Sequence, residues 1–277
     1  MTLDPIAILR HGIRSVLRNA GATLRISWPW LIIIAIAYVL FAFVMTTSGF
    51  GTTPLDSEKG AAPVLLAGLI LFIVSALGFS SIAVNWHRYI LLDEMPDLAQ
   101  KLRVDGRVLS YFWRGLLAGL LTLLIMIVPI IILSTVAGSL LSGVVGQMEG
   151  APGRGMGPGI WIVTIVIGAF ATALFFRFAL ALPAIALGRE EIGLFDSWGR
   201  TRGLFWPLLM VAAGTVILQV VTQVIVDVIN YVAMSAVGTV ALIITVPLML
   251  VVLWFFTFLG VTLLTTLYGH IVENRRL

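Results

Sequence analysis

The stretch TRGLFWPLLMVAAG, residues 201–214, sets Arg202, Trp206 and Pro207 directly ahead of a long apolar run. Each of the three has a reason to stand where a helix enters a membrane. A tryptophan ring is apolar while its N–H still needs a partner, so it settles at the headgroup boundary. A proline in the first helical turn gives up a donor that has no intrahelical acceptor anyway. An arginine beside them meets anionic phosphates, at about 1 kcal/mol near the surface. Two other stretches stand in the same relation to an apolar run: TLRISWPWLIII at 23–34 and DGRVLSYFWRGLLAG at 105–119. Trp28, Trp113 and Trp206 thus recur at offsets of 85 and 93 residues, and each interval holds two apolar segments. Either the chain is built from three parallel repeats, each an interfacial elbow followed by a helical hairpin, or every cytoplasmic helix start gathers the same residue types.

A crossing needs about 20 predominantly apolar residues. Six segments qualify, at 30–47, 63–86, 115–140, 160–186, 207–234 and 239–265. Runs this long predict helices, because a spanning segment must satisfy its own backbone donors and acceptors, and barrel strands would alternate in polarity over about 10 residues. Composition agrees: 60% of the 277 residues are hydrophobic and 11% are charged, under half the roughly 25% usual for soluble domains. The expectation is an all-α integral membrane protein of six transmembrane helices in three hairpins, one membrane domain over residues 1–277.

Basic residues sort by side. Arg10, Arg14, Arg18 and Arg25 precede the first span, and Arg88, Lys101, Arg103, Arg107 and Arg114 lie between the second and third. Arg189, Arg200 and Arg202 lie between the fourth and fifth, Arg275 and Arg276 end the chain, and the opposite side holds only Lys59 and Arg154. The positive-inside rule then puts both termini in the cytoplasm. The pI of about 9.8 is read as this topology signal, and no nucleic-acid partner is expected. The absence of cysteine excludes disulfides, thiolate metal sites and cysteine nucleophiles. The first 27 residues hold four arginines and no apolar core of a cleavable signal, so the first span is expected to stay in the mature protein.

The elbows, at 5–27, 95–112 and 189–204, read as amphipathic helices on the membrane plane. In the first, Arg10, Arg14 and Arg18 recur at i, i+4, i+8 beside a stripe of Ile6, Leu9, Ile13 and Leu17. Arg177 is the one basic residue well inside an apolar segment: either its stem snorkels to the headgroups or it serves a ligand or ion pair within the bundle. Arg88 holds the matching place in HRYILL against FRFALAL, and His270 in LYGHIV. Together with Arg200 and Arg202 these arginines are the candidate contacts for anionic lipid or ligand. Gln219, Gln223 and Asp227 fall at i, i+4, i+8, with Asn230 nearby, and form a polar stripe expected to face protein or water. Gly115 with Gly119, and Gly168 with Ala169 and Ala173, read as packing faces. No metal or cofactor is expected: His11, His87 and His270 lack a paired carboxylate motif, and GRGMG within 150–159 lacks the strand and Lys-Ser/Thr of a phosphate loop.

Within RFALALPAIALGREEIGLFDSWGRTRGLFWPLL, residues 177–209, an Arg-bearing span end, LPAIA, a Ser-Trp elbow and TRGLFW follow one another. This pattern resembles the membrane domain attached to some bacterial glycerophosphoryl diester phosphodiesterases, and its stand-alone relatives. In the fused proteins hydrolysis belongs to a separate barrel, so the resemblance implies a six-helix module of the bacterial inner membrane and no activity. The expected function is non-enzymatic, engaging lipids or a membrane-protein partner in envelope or lipid homeostasis. The alternative is a transporter of a small or amphiphilic molecule, favoured by internal repeats and by Pro129, Pro183 and Pro247.

Overall fold

The computed structural model describes residues 3–48, 58–145, 158–189 and 191–275. Most of the two Gly-rich segments 48–60 and 142–159, with Arg154 and the GRGMG stretch, lies outside the described residues, as do Glu190 and Arg276. The regular elements described are all helical. In chain order they are α1 (Pro5–Arg18), α2 (Ala20–Thr47), α3 (Glu58–Leu92), α4 (Leu98–Lys101) and α5 (Gly106–Val145). Then come α6 (Pro158–Ala179), α7 (Ala181–Ala186), α8 (Leu194–Arg200), α9 (Phe205–Val237) and α10 (Leu242–Ile271), the last two joined by a 3-10 turn, Gly238–Ala241.

Five helical stretches are long and apolar enough to cross a membrane: Ala20–Thr47, Ala61–Leu92, Leu98–Ile132, Ile162–Ala186 and Phe205–Ile271. The chain is a multi-pass membrane protein. The last stretch, of 67 residues, would run about 100 Å if straight. It is broken at Gly238, whose φ of 59° is open to glycine, and α9 and α10 pack against one another.

The helices begin earlier than the apolar runs. α2 starts at Ala20, so Pro29, expected in the first turn, is the tenth residue of a helix that runs through it. Pro207 does stand in the first turn of α9. The second elbow, expected as one helix over 95–112, is the single turn of α4, because α5 already starts at Gly106. A hydropathy run marks where lipid begins, whereas the backbone keeps its i to i−4 bonds on into the headgroup zone. α6 stops at Ala179, four residues ahead of Pro183, whose ring would meet that carbonyl in a continuous helix.

Contacts gather into two compact units. One comprises the described parts of Leu17–Gly115 and Leu182–Glu191. Here α2 packs along α3. A Cβ at Gly78 would lie 2.8 Å from Trp30 Cε3, so glycine lets the indole rest on the α3 backbone. α4 lies against both helices, over a core that includes Val84, Trp86, Val108 and Ile185.

The other unit comprises the described parts of Met1–Val16, Leu116–Ala181 and Ile192–Leu277. α6 packs along α9 through Gly168, where a Cβ would stand 3.2 Å from Val216, and through the buried Ala169 and Ala173. Gly119 meets nothing within 4 Å and Gly115 only Leu182 at 3.9 Å, so that pair is not the close-packing face expected. α8 lies on α6. α1 buries Ile8, Gly12 and Val16; a Cβ at Gly12 would come within 2.7 Å of Leu263 on α10, and one at Gly214 of α9 within 2.8 Å of Leu9. The expected lipid stripe of α1 is therefore divided. Leu9 meets protein, while Ile6 and Leu17 are exposed.

The elbows share one habit. α4 packs on the pair before it, α8 packs on α6 before it, and α1 packs on the last pair.

Candidate functional site

α8 is held by Arg177. The Arg177 guanidinium lies with its Cζ 3.5 Å from the centre of the Trp198 ring, a cation–π arrangement. Nε donates to Thr201 Oγ1 at 3.1 Å and Nη2 to the Trp198 carbonyl at 3.3 Å. The Thr201 hydroxyl in turn donates to the Ser197 or Trp198 carbonyl, each at 3.0 Å. Phe178 adds a ring stacked on Trp198 at 4.7 Å. The last carbonyls of a helix have no intrahelical donor, and here a cation from the neighbouring span supplies one. Arg177 is half-buried and folded onto α8, where the sequence left open a stem snorkelling to the headgroups or a ligand or ion pair within the bundle.

Arg88 does related work at the end of α3. Its Nη1 donates to the Ala186 carbonyl at 3.1 Å, capping α7, and its Nη2 pairs with Glu94. At the third matching position His270 Nδ1 is 3.0 Å from the Arg275 carbonyl. Arg200 and Arg202 are exposed. The three marker tryptophans behave alike: Trp28, Trp113 and Trp206 are 46%, 53% and 70% exposed, as anchors at a boundary would be.

The polar stripe of α9 is bonded within its own helix. Gln223 Nε2 donates to Asp227 Oδ1 at 2.8 Å, and Gln219, Gln223 and Asp227 are exposed while Asn230 is half-buried. The bond described is thus the local i, i+4 kind.

Sequence reasoning missed the polar seat of α4. Trp30 Nε1 and Ser81 Oγ both donate to the Lys101 carbonyl, at 2.9 and 3.0 Å, and Asn85 Nδ2 donates to the Gln100 carbonyl at 2.9 Å. Asp97 closes the other end with a capping box to Gln100. The signal was present in SSIAVNW, where Ser81 and Asn85 are four apart on one face of α3. His87, expected merely to flank the membrane, is fully buried with a ring nitrogen 3.1 Å from Tyr111 Oη. Among the described residues no three His, Asp or Glu side chains gather as metal ligands would.

Comparison with family models, with curated proteins and with solved structures returns no match.

Proposed function

We propose that the chain is a non-enzymatic membrane module that engages anionic lipids at its cytoplasmic elbows. The observation that carries this reading is α1. Its buried stripe of Ile8, Gly12 and Val16 seats it on protein, which leaves two sectors outward: apolar Ile6 and Leu17, and basic Arg10, Arg14 and Arg18. A helix fixed to spans, with an exposed apolar sector beside a basic one, has the surface of a helix lying in the headgroup layer. Each arginine there is worth about 1 kcal/mol of attraction to anionic lipid.

The architecture belonging to this reading has six spans in three elbow–hairpin repeats, with both termini cytoplasmic, in a bacterial inner membrane. Three features support it: the turn between α9 and α10, the order in which elbows dock, and a shared register. Seven residues before Arg88 and His270 stand Ser81 and Leu263, and each faces a docked elbow. Three residues before Arg88, Arg177 and His270 stand Asn85, Leu174 and Leu267, all buried. The resemblance over residues 177–209 fits the same architecture.

A second reading, a transporter of a small amphiphilic molecule, is favoured by the helix break between α6 and α7 ahead of Pro183.

Two measurements test the leading reading. Reporter fusions at Gly150 and at the C-terminus should report opposite sides of the membrane, and a result on one side refutes the six-span topology. Purified protein should retain phosphatidylglycerol over phosphatidylcholine in native mass spectra, with the preference lost in R10Q/R14Q/R18Q; an unchanged preference refutes lipid engagement through α1.

A further inference from the structure

Two lines of exposed residues run along the half of α9 nearer Gly238. One is apolar, with Val221, Ile225, Val228 and Val232. The other is polar, with Gln219, Gln223 and Asp227. At 3.6 residues per turn the two lines lie on opposite sides of the helix. Two turns before Gln219 and Gln223 stand Ala212 and Val216, both buried, and Val216 is the residue that Gly168 of α6 approaches. The polar line therefore continues the side of α9 on which α6 packs, dry and apolar in the first half of the helix, polar and uncovered in the second.

This line is short of donors. Gln223 Nε2 donates to Asp227 Oδ1 at 2.8 Å, which leaves Gln223 Oε1 to accept. Asn230 lies three residues past Asp227 on the same side, and its Oδ1 is buried with no donor among the described residues. Asp227 is also the one carboxylate in the six apolar segments.

We propose that this line of α9 binds a small organic ammonium ion. The N–H groups of such an ion supply the donors that Gln223 Oε1 and Asn230 Oδ1 lack, and its charge meets Asp227, a pairing strengthened by apolar surroundings. Gln219 and Gln223 stand 13 and 17 residues past Trp206, about 20 and 26 Å along the helix, within an apolar layer about 30 Å thick. An amide without a partner is costly at that depth. A lipid headgroup is held at the boundary, whereas these two side chains lie beneath it, so the occupant is a free ammonium compound and not an aminolipid. The site is apart from the elbows and does not rest on lipid engagement through α1.

The test titrates the full chain in detergent with butylammonium, tetramethylammonium and butanol by isothermal calorimetry. Butylammonium should bind saturably. Tetramethylammonium, which has the charge and no N–H, and butanol, which has a hydroxyl and no charge, should each bind at least about tenfold more weakly. Asp227→Asn and Gln223→Leu should each weaken butylammonium about tenfold, while Val221→Leu on the apolar line leaves it unchanged. A second arm uses the absence of cysteine from the chain. In membrane vesicles of both orientations, Gln219→Cys should react with an impermeant maleimide and be protected by butylammonium, and Ile225→Cys should stay unreacted. No saturable butylammonium binding, affinity that survives Asp227→Asn, or equal labelling at positions 219 and 225 overturns the site. Disulfide-linked dimers of Gln219→Cys would give the line to a second copy and overturn it as well.

Discussion

α4 and α8 meet the same difficulty and resolve it differently. Each is a short helix seated on membrane spans, with carbonyls at its C-terminal end that its own backbone cannot satisfy. α4 is capped by Trp30, Ser81 and Asn85, all neutral and all buried. At α8 the cap is Arg177, a cation, helped by Thr201. Neutral donors can be enclosed completely, whereas burying a guanidinium is costly, so Arg177 stays half-buried and sets one face against Trp198. A charge inside an apolar segment is thus explained here by the helix it holds. α1 shows a third solution, close apolar packing through Gly12 and Gly214.

The comparison breaks most readily at Arg177. Arg177→Leu should lower stability in detergent by about 3 kcal/mol, through the lost charged hydrogen bonds and the lost stack on Trp198. Arg177→Lys should cost about 2 kcal/mol, because an ammonium cannot lie flat on the indole and reach two acceptors. A thermal-melt series settles it; a Lys variant as stable as wild type would mean that charge alone suffices and α8 is not held as described.

The neutral cap should behave cooperatively. Trp30→Phe or Ser81→Ala alone leaves the Lys101 carbonyl one donor, at a cost of about 1 kcal/mol each, while together they orphan it and should cost about 3 kcal/mol. Additive losses would show that the two bonds are independent. Gly12→Leu should destabilise by about 2 kcal/mol through overpacking against Leu263, and hydrogen exchange should rise in α1 ahead of α4 and α8. The smallest effect belongs to Gln223→Leu, about 0.3 kcal/mol, since its bond to Asp227 is a local exposed pair. A loss several times larger would reveal an interhelical partner.

Much of this was legible in the chain. Apolar runs located the long helices, and Trp28, Trp113 and Trp206 are all exposed, because length and polarity are local properties. Helix starts were placed late at α2 and α5, since Arg25, Ser27 and Gly106–Trp113 are polar or mixed yet still helical. The seating of the elbows was not legible. That Gly12 would meet Leu263 on α10, or that the Lys101 carbonyl would find Trp30 some 71 residues away, depends on tertiary neighbours and not on any period in the sequence. The arginines were recognised by charge, but their acceptors are backbone carbonyls, which carry no sequence signature.

The central claim is that each elbow seats on the helices before it and α1 on the last pair. The chain has no cysteine, so a pair introduced at Gly12 and Leu263 can be read without background by oxidative cross-linking in membranes. The account predicts an intramolecular bond for Gly12→Cys with Leu263→Cys and none for Gly12→Cys with Leu253→Cys, ten residues earlier on α10. A bond to position 253, with none to 263, would place α1 elsewhere along α10 and contradict the account.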